Sequence, residues 1–204
     1  MPFNNSLSLC LCGISVILWC GMTKGQLRIR ILRRLQQQKE DVRYRKSEAI
    51  RRKVFRLAAF RQAKTVCCYV SLPYEVQTWR MIEEMLKRGK RVVVPMTTPR
   101  SKRLQLSEVR DLHTELAPKA FGVWEPIPQV VRLVPLREVD LVLVPAVAFD
   151  RTGHRLGHGH GYFDRLLSRL PKDTPTVGLA YRCQLLDRLP IARHDRAVKA
   201  VLTA

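Results

Sequence analysis

Residues 139–150, VDLVLVPAVAFD, are apolar at nearly every position. A strand with alternating polarity can leave one face in water, but this run has no polar face and must be covered on both sides. That requirement frames the rest of the chain. Further β-prone runs stand at TVCCYVSL (65–72), RVVVP (91–95), TVGLAY (176–181) and AVKAVLT (197–203). Between them, TWRMIEEMLKRG (78–89) sets Trp79, Ile82, Met85 and Leu86 at helical spacing, with Thr78 in the N-cap position and Gly89 closing the helix. YFDRLLSRL (162–170) places Phe163, Leu166, Leu167 and Leu170 on one helix face. Strands alternating with helices predict an α/β fold, a mostly parallel sheet flanked by helices in a Rossmann-like three-layer arrangement.

Upstream of the first strand, residues 24–63 read as two basic amphipathic helices. Leu27, Ile31 and Leu35 mark the apolar face of the first, and Ile50, Val54, Leu57 and Ala58 that of the second, with Ser47 and Glu48 near its start. Residues 24–64 hold 15 basic residues against three acids, and so supply +12 of the chain's net charge of +20. Such a field attracts anions of many kinds. Tyr44, Phe55 and Phe60 are too few aromatics for base stacking, and no nucleic-acid-binding motif is present, so no nucleic-acid partner is expected. Residues 96–135 are less regular and carry five of the twelve prolines; they predict a strand or two and a long surface connection.

With 204 residues the chain is the size of one domain. No linker divides it, and residues 22–204 are expected to form a single α/β domain. Residues 1–21 are an apolar extension that fits neither of the usual targeting patterns. LSLCLCGISVILWCGM (7–22) is shorter than a spanning helix and has no basic segment before it. Translation from Met22 is the expected explanation, with membrane contact expected only if the segment is real; the Lys/Arg cluster would then keep the globular part on the cytoplasmic side. The six cysteines form no CxxC pair, and Cys67 and Cys68, adjacent on a strand, should face opposite ways. A reducing cytoplasm fits this usage.

The chemistry is concentrated in HRLGHGHGYFDR (154–165), where Gly157, Gly159 and Gly161 alternate with His158 and His160 between a buried strand and a helix. Glycines there let backbone N–H groups converge on an anion beside a helix N-terminus. Neither GxxxxGK[ST] nor GxGxxG is matched, so the pattern alone leaves phosphate binding and a tight structural turn both open. Asp164 beside the loop would repel a phosphate chain unless a divalent cation lay between them; otherwise it is an acid favoured by the helix dipole. Zinc on His154, His158, His160 and Asp164 is a rival, at a spacing unusual for that metal.

Taken together, VPAVAFDRTGHRLGHGHGYFDRLL, VGLAYRCQLLDRLPIARHD, KGQLR (24–28) and YVSLPYEVQT (69–78) resemble, in the same order, the motifs of the 5-formyltetrahydrofolate cyclo-ligase family, also called methenyltetrahydrofolate synthetase. The resemblance runs from about residue 24 to the end. It implies an ATP- and Mg²⁺-dependent closure of 5-formyltetrahydrofolate to 5,10-methenyltetrahydrofolate with release of ADP and phosphate. By matching position it implies ATP contacts at Lys24, Arg28, Arg155, Leu156, Gly157, His158, Gly159, His160, Gly161, Tyr162 and Phe163. Folate contacts are implied at Val70, Glu75 and residues 159–163, and Mg²⁺ on Asp164 and Asp195. A monomer is expected. His158 and His160 stand where relatives often carry Arg, Lys, Met or Gly, and Phe163 where a Tyr is usual. The competing expectation is a basic interaction protein, on nucleic acid or a membrane surface, built on a decayed cyclo-ligase fold. Retention of Lys24, Arg28, Glu75, Asp164 and Asp195 together argues against decay.

Overall fold

The protein is described here by a computed structural model covering residues 21–98, 101–119 and 122–204. Residues 1–20 of the apolar extension discussed above lie outside the described residues.

Helix α1 (Lys24–Gln36) starts at a capping box, in which the Thr23 hydroxyl accepts from the Gln26 N–H and the Gln26 side chain accepts from the Thr23 N–H. Its Leu27, Ile31 and Leu35 are all buried, as their spacing predicts. Burial of each such side chain stabilises the fold by about 1.5–3 kcal/mol. Helix α2 (Glu40–Arg56) buries Ser47, Ile50 and Val54. The predicted apolar stripe then stops short. Leu57 adopts an extended backbone and a new short helix, α3 (Ala58–Gln62), turns Phe60 inward while Ala58 is exposed.

The strands β1 (Thr65–Cys67), β2 (Arg91–Thr98), β3 (Ser101–Val109), β6 (Leu141–Val144), β9 (Thr176–Ala180) and β11 (Ala200–Thr203) form a six-stranded sheet in the order β11-β9-β6-β1-β2-β3. All neighbours are parallel except β2 and β3, which make a long antiparallel hairpin. The predicted irregular region thus begins with a nine-residue edge strand. It continues through α5 (Leu112–Glu115) into a second hairpin, β4 (Leu116–Pro118) with β5 (Trp124–Pro126).

Alternation along the central strands sorts their side chains into two layers. Val66, Val92, Leu141, Leu143, Val177 and Leu179 pack with α1, α2, α3 and α4 (Trp79–Lys87). Cys67, Val93, Val142, Val144 and Ala180 pack on the other face, with Leu166 of α6 (Tyr162–Leu167) and with Leu104 and Leu106 of β3. Cys67 and Cys68 fall in different layers, as predicted, and both are free thiols.

Two expectations need correction. The run 139–150 is not one strand: it breaks after Val144, and β7 (Ala148–Asp150) belongs to a small separate sheet with β8 (Arg155–Leu156) and β10 (Leu185–Leu186). Pro145 has no N–H to continue a ladder, and Gln184 instead holds this corner by donating to the Ala146 and Val147 carbonyls at 2.8 and 3.3 Å. Thr78 precedes α4 but does not cap it with its side chain. Its hydroxyl donates to the Tyr69 carbonyl at 2.6 Å and accepts from the Ser71 N–H, because the buried loop before the helix offers it closer partners.

Candidate active site

The break after β6 is what makes the site. β7 and β8 form a short antiparallel turn that carries the chain away from the main sheet and delivers residues 157–161 to the N-terminus of α6. Gly161 occupies the N-cap position with φ +65° and Gly159 has φ +104°, left-handed conformations that other residues adopt only with strain.

Helix α1 packs its first turn on this loop. The Arg28 Nε donates to the Gly157 carbonyl at 2.7 Å, and the guanidinium lies along the loop as far as Gly159. One turn earlier Lys24 is paired with Asp195, which also accepts from the Ala192 N–H at 2.7 Å. Burial alone would raise the Asp195 carboxyl, but Lys24 and the Ala192 N–H bring it below the usual range.

Arg155 lies beneath the loop with its side chain almost fully buried. Its Nη2 sits 2.7 Å from an Asp164 oxygen, yet out of alignment, so that Nε and Nη2 make no hydrogen bond among the described residues. Burial lowers its affinity for the proton, while Asp164 and Asp195 raise it, so one guanidinium senses both carboxylates. Asp164 accepts in addition from the Arg196 N–H at 3.2 Å. A cleft of about 400 Å³ opens beside Asp164, lined also by Gly159, Gly161, Arg165, His194 and Arg196.

The three loop histidines go to three different neighbours. His154 Nδ1 lies 2.8 Å from the Thr152 hydroxyl, the His158 Nε2 3.5 Å from a Glu75 oxygen, and the His160 ring stacks on Tyr162. The zinc cluster imagined on His154, His158, His160 and Asp164 does not form; among the described residues no three His, Cys, Asp or Glu side chains are placed to hold a metal.

Glu75 is brought in by the loop that follows the C-terminal end of β1, the edge of a parallel sheet where α/β folds place their ligands. It is buried, accepts from the Leu72 N–H at 3.0 Å and faces His158. Leu156 and Val70 are core side chains at 2% and 7% exposure, so Leu156 offers a ligand only its backbone. Phe163 is half-buried with the Arg155 guanidinium over its ring.

Residues from positions 24, 28, 75, 155–164 and 195 therefore meet around one loop. The sequence model of the 5-formyltetrahydrofolate cyclo-ligase family matches residues 21–204. The chain belongs to this family. Among cyclo-ligase relatives, the 5-formyltetrahydrofolate cyclo-ligase of Haemophilus influenzae is 38% identical over 136 residues, covering 66% of this chain and 73% of the relative. That of Mycolicibacterium smegmatis is 32% identical, covering 89% and 93%. The NMR structure of the Aquifex aeolicus 5,10-methenyltetrahydrofolate synthetase superimposes with a TM-score of 0.77 at 34% identity, over 89% of this chain and 90% of that one. Within the cyclo-ligase fold, the residues that sequence reasoning passed over are Tyr181 and Gln184. Both are buried polar side chains, and no local motif distinguishes them from core.

Proposed function

We propose that this chain closes 5-formyltetrahydrofolate to 5,10-methenyltetrahydrofolate at the expense of ATP, as a ligase forming a C–N bond. The observation that carries the reading is the meeting of α1 and Glu75, segments far apart in sequence, at the glycine loop. The N5-formyl group is a poor electrophile, and its oxygen a poor leaving group. Transfer of the γ-phosphoryl to that oxygen, with ADP departing, turns the oxygen into phosphate; N10 then attacks the formyl carbon, phosphate leaves and N10 loses its proton. Phosphoryl transfer asks a protein chiefly for positioning and charge neutralisation.

The residues suit those tasks. Arg155 brings a buried Nε and Nη2 that no hydrogen bond satisfies, Nη2 being in a misaligned pairing with Asp164, a costly state that an anionic oxygen relieves. Lys24, Arg28 and Arg155 surround the loop of residues 155–163 with positive charge, and the backbone of Gly157, Gly159 and Gly161 allows close approach. Asp164, paired with Arg155, and Asp195, paired with Lys24, offer the hard carboxylate oxygens that suit Mg²⁺, which binds by one or two carboxylates together with substrate phosphates. The ion would neutralise charge on the transferring phosphate. With the carboxylates engaged by the ion, Lys24 and Arg155 would be left to pair with phosphate oxygens instead. Glu75 would accept hydrogen bonds from the pterin, with Val70 and residues 159–163 beside it. The protein acts as a monomeric cytoplasmic enzyme, folded as one unit over residues 22–204.

The test is formation of methenyltetrahydrofolate from 5-formyltetrahydrofolate and Mg-ATP, with controls lacking ATP and with Asp164→Asn. ATP-dependent product that disappears in the variant supports the reading. Absence of product with nucleotide binding intact sinks it.

A further inference from the structure

The loop that carries Glu75, residues 68–78, has almost no regular backbone pairing, yet it is buried for most of its length. Side chains hold it instead. One set is local: the Gln77 amide donates to the Leu72, Pro73 and Glu75 carbonyls, and the Glu75 carboxylate accepts from the Leu72 N–H. These bonds fold residues 72–77 into a compact turn but do not fix where that turn sits relative to the nucleotide loop.

A second set does fix it. The Tyr181 hydroxyl donates to the Glu75 carbonyl at 2.7 Å and lies 3.0 Å from the Ser47 hydroxyl, which accepts from the Gln77 N–H at 3.0 Å. Each hydroxyl has one proton, so the donors can be assigned. The Gln77 N–H donates to Ser47, Ser47 donates to Tyr181, and Tyr181 donates to the Glu75 carbonyl. The relay is buried, and burial pushes the Tyr181 hydroxyl up to about 12, so it remains a donor throughout the neutral range.

The base of the tyrosine is equally fixed. Its N–H donates to Gln184 Oε1 at 2.7 Å, and the Gln184 amide holds the Ala146–Val147 corner from which β7 leads to the glycine loop. The helix-borne Ser47 and the sheet-borne Tyr181 thus place Glu75 against the same framework that carries His158.

We propose that Tyr181 and Ser47 are positioning residues for Glu75, setting the distance between the folate loop and the nucleotide loop. The proposal rests on Glu75 being the pterin ligand, as read above. Loss of either hydroxyl leaves the local turn intact but lets it tilt, so folate binding suffers while nucleotide binding does not.

The experiment measures kcat and KM for both substrates in the full chain with Tyr181→Phe, Ser47→Ala, Glu75→Ala and Tyr181→Phe/Glu75→Ala, with Tm for each. Tyr181→Phe and Ser47→Ala are each expected to raise KM for 5-formyltetrahydrofolate by about three- to tenfold, the range of one neutral hydrogen bond. KM for ATP should hold, and Tyr181→Phe should add nothing in the Glu75→Ala background. A rise with Glu75→Ala but not with either hydroxyl variant overturns the positioning role and leaves the Glu75 reading standing. No rise with Glu75→Ala overturns both. Equal increases in KM for both substrates, in step with lowered Tm, also overturn it, because that is what general loosening produces.

Discussion

His158 stands where the two substrates would meet, with its ring nitrogen toward Glu75 and its backbone in the nucleotide loop. Deleting the ring should therefore disturb both sides: His158→Ala is expected to raise KM for 5-formyltetrahydrofolate and for ATP, which initial rates check. The loop itself was legible, because glycines at every second position between a buried strand and a helix admit few structures. Glu75 was legible only through the family resemblance, since an isolated acid after Pro73 reads equally well as a solvated loop residue. The roles of Tyr181 and Ser47 were not legible, and Ser47, expected near the start of its helix, lies in the middle of α2. Buried hydroxyls that bond across 134 residues leave no periodicity or spacing to find.

Among the elements, the helices and parallel strands followed from apolar spacing, but the ends of segments did not. The apolar run 139–150 hid a corner, because Pro145 was its only interruption and burial on both sides of the corner keeps the composition uniform. Strand β9 shows how tightly that corner is packed. A Cβ on Gly178 would lie 2.5 Å from the fully buried ring of Phe149 in β7. Gly178→Ala should therefore cost about 1–3 kcal/mol by overpacking and lower Tm by roughly 3–10 °C, measurable by calorimetry.

Helix α5 is tied to the segment that follows β5 by a different kind of linkage. Arg132 grips Glu115 through both Nη nitrogens, at 2.6 and 3.0 Å, and the Arg110 N–H adds a third bond. The Arg132 contact is the main reason the Glu115 carboxyl is held below its usual value. A depressed folded value means that its stabilisation is present above the unfolded value and lost as pH falls through the folded one. Urea unfolding should show wild type more stable than Glu115→Gln at pH 7, with the gap closing as acid protonates the carboxyl.

At the scale of the molecule, residues 24–64 supply +12 of the net +20, and they include α1 and α2, helices whose buried faces build the core and of which α1 builds the site with its first turns. Their exposed faces set up a field that extends into solvent and is screened by salt. A polyglutamylated folate should feel it more than a monoglutamate. Raising NaCl should then raise KM more steeply for the polyglutamate; equal salt sensitivity would refute a role for the helices in capture. Among the described residues no helix is long and apolar enough to cross a membrane.

The pairing of Lys24 with Asp195 and of Arg28 with Gly157 spans 171 and 129 positions. A ribosome releases α1 long before either partner exists, so the helix must wait through most of translation with its apolar stripe unclaimed. Contacts of such separation are slow to close. The nascent chain accordingly has no complete site until its last residues are made.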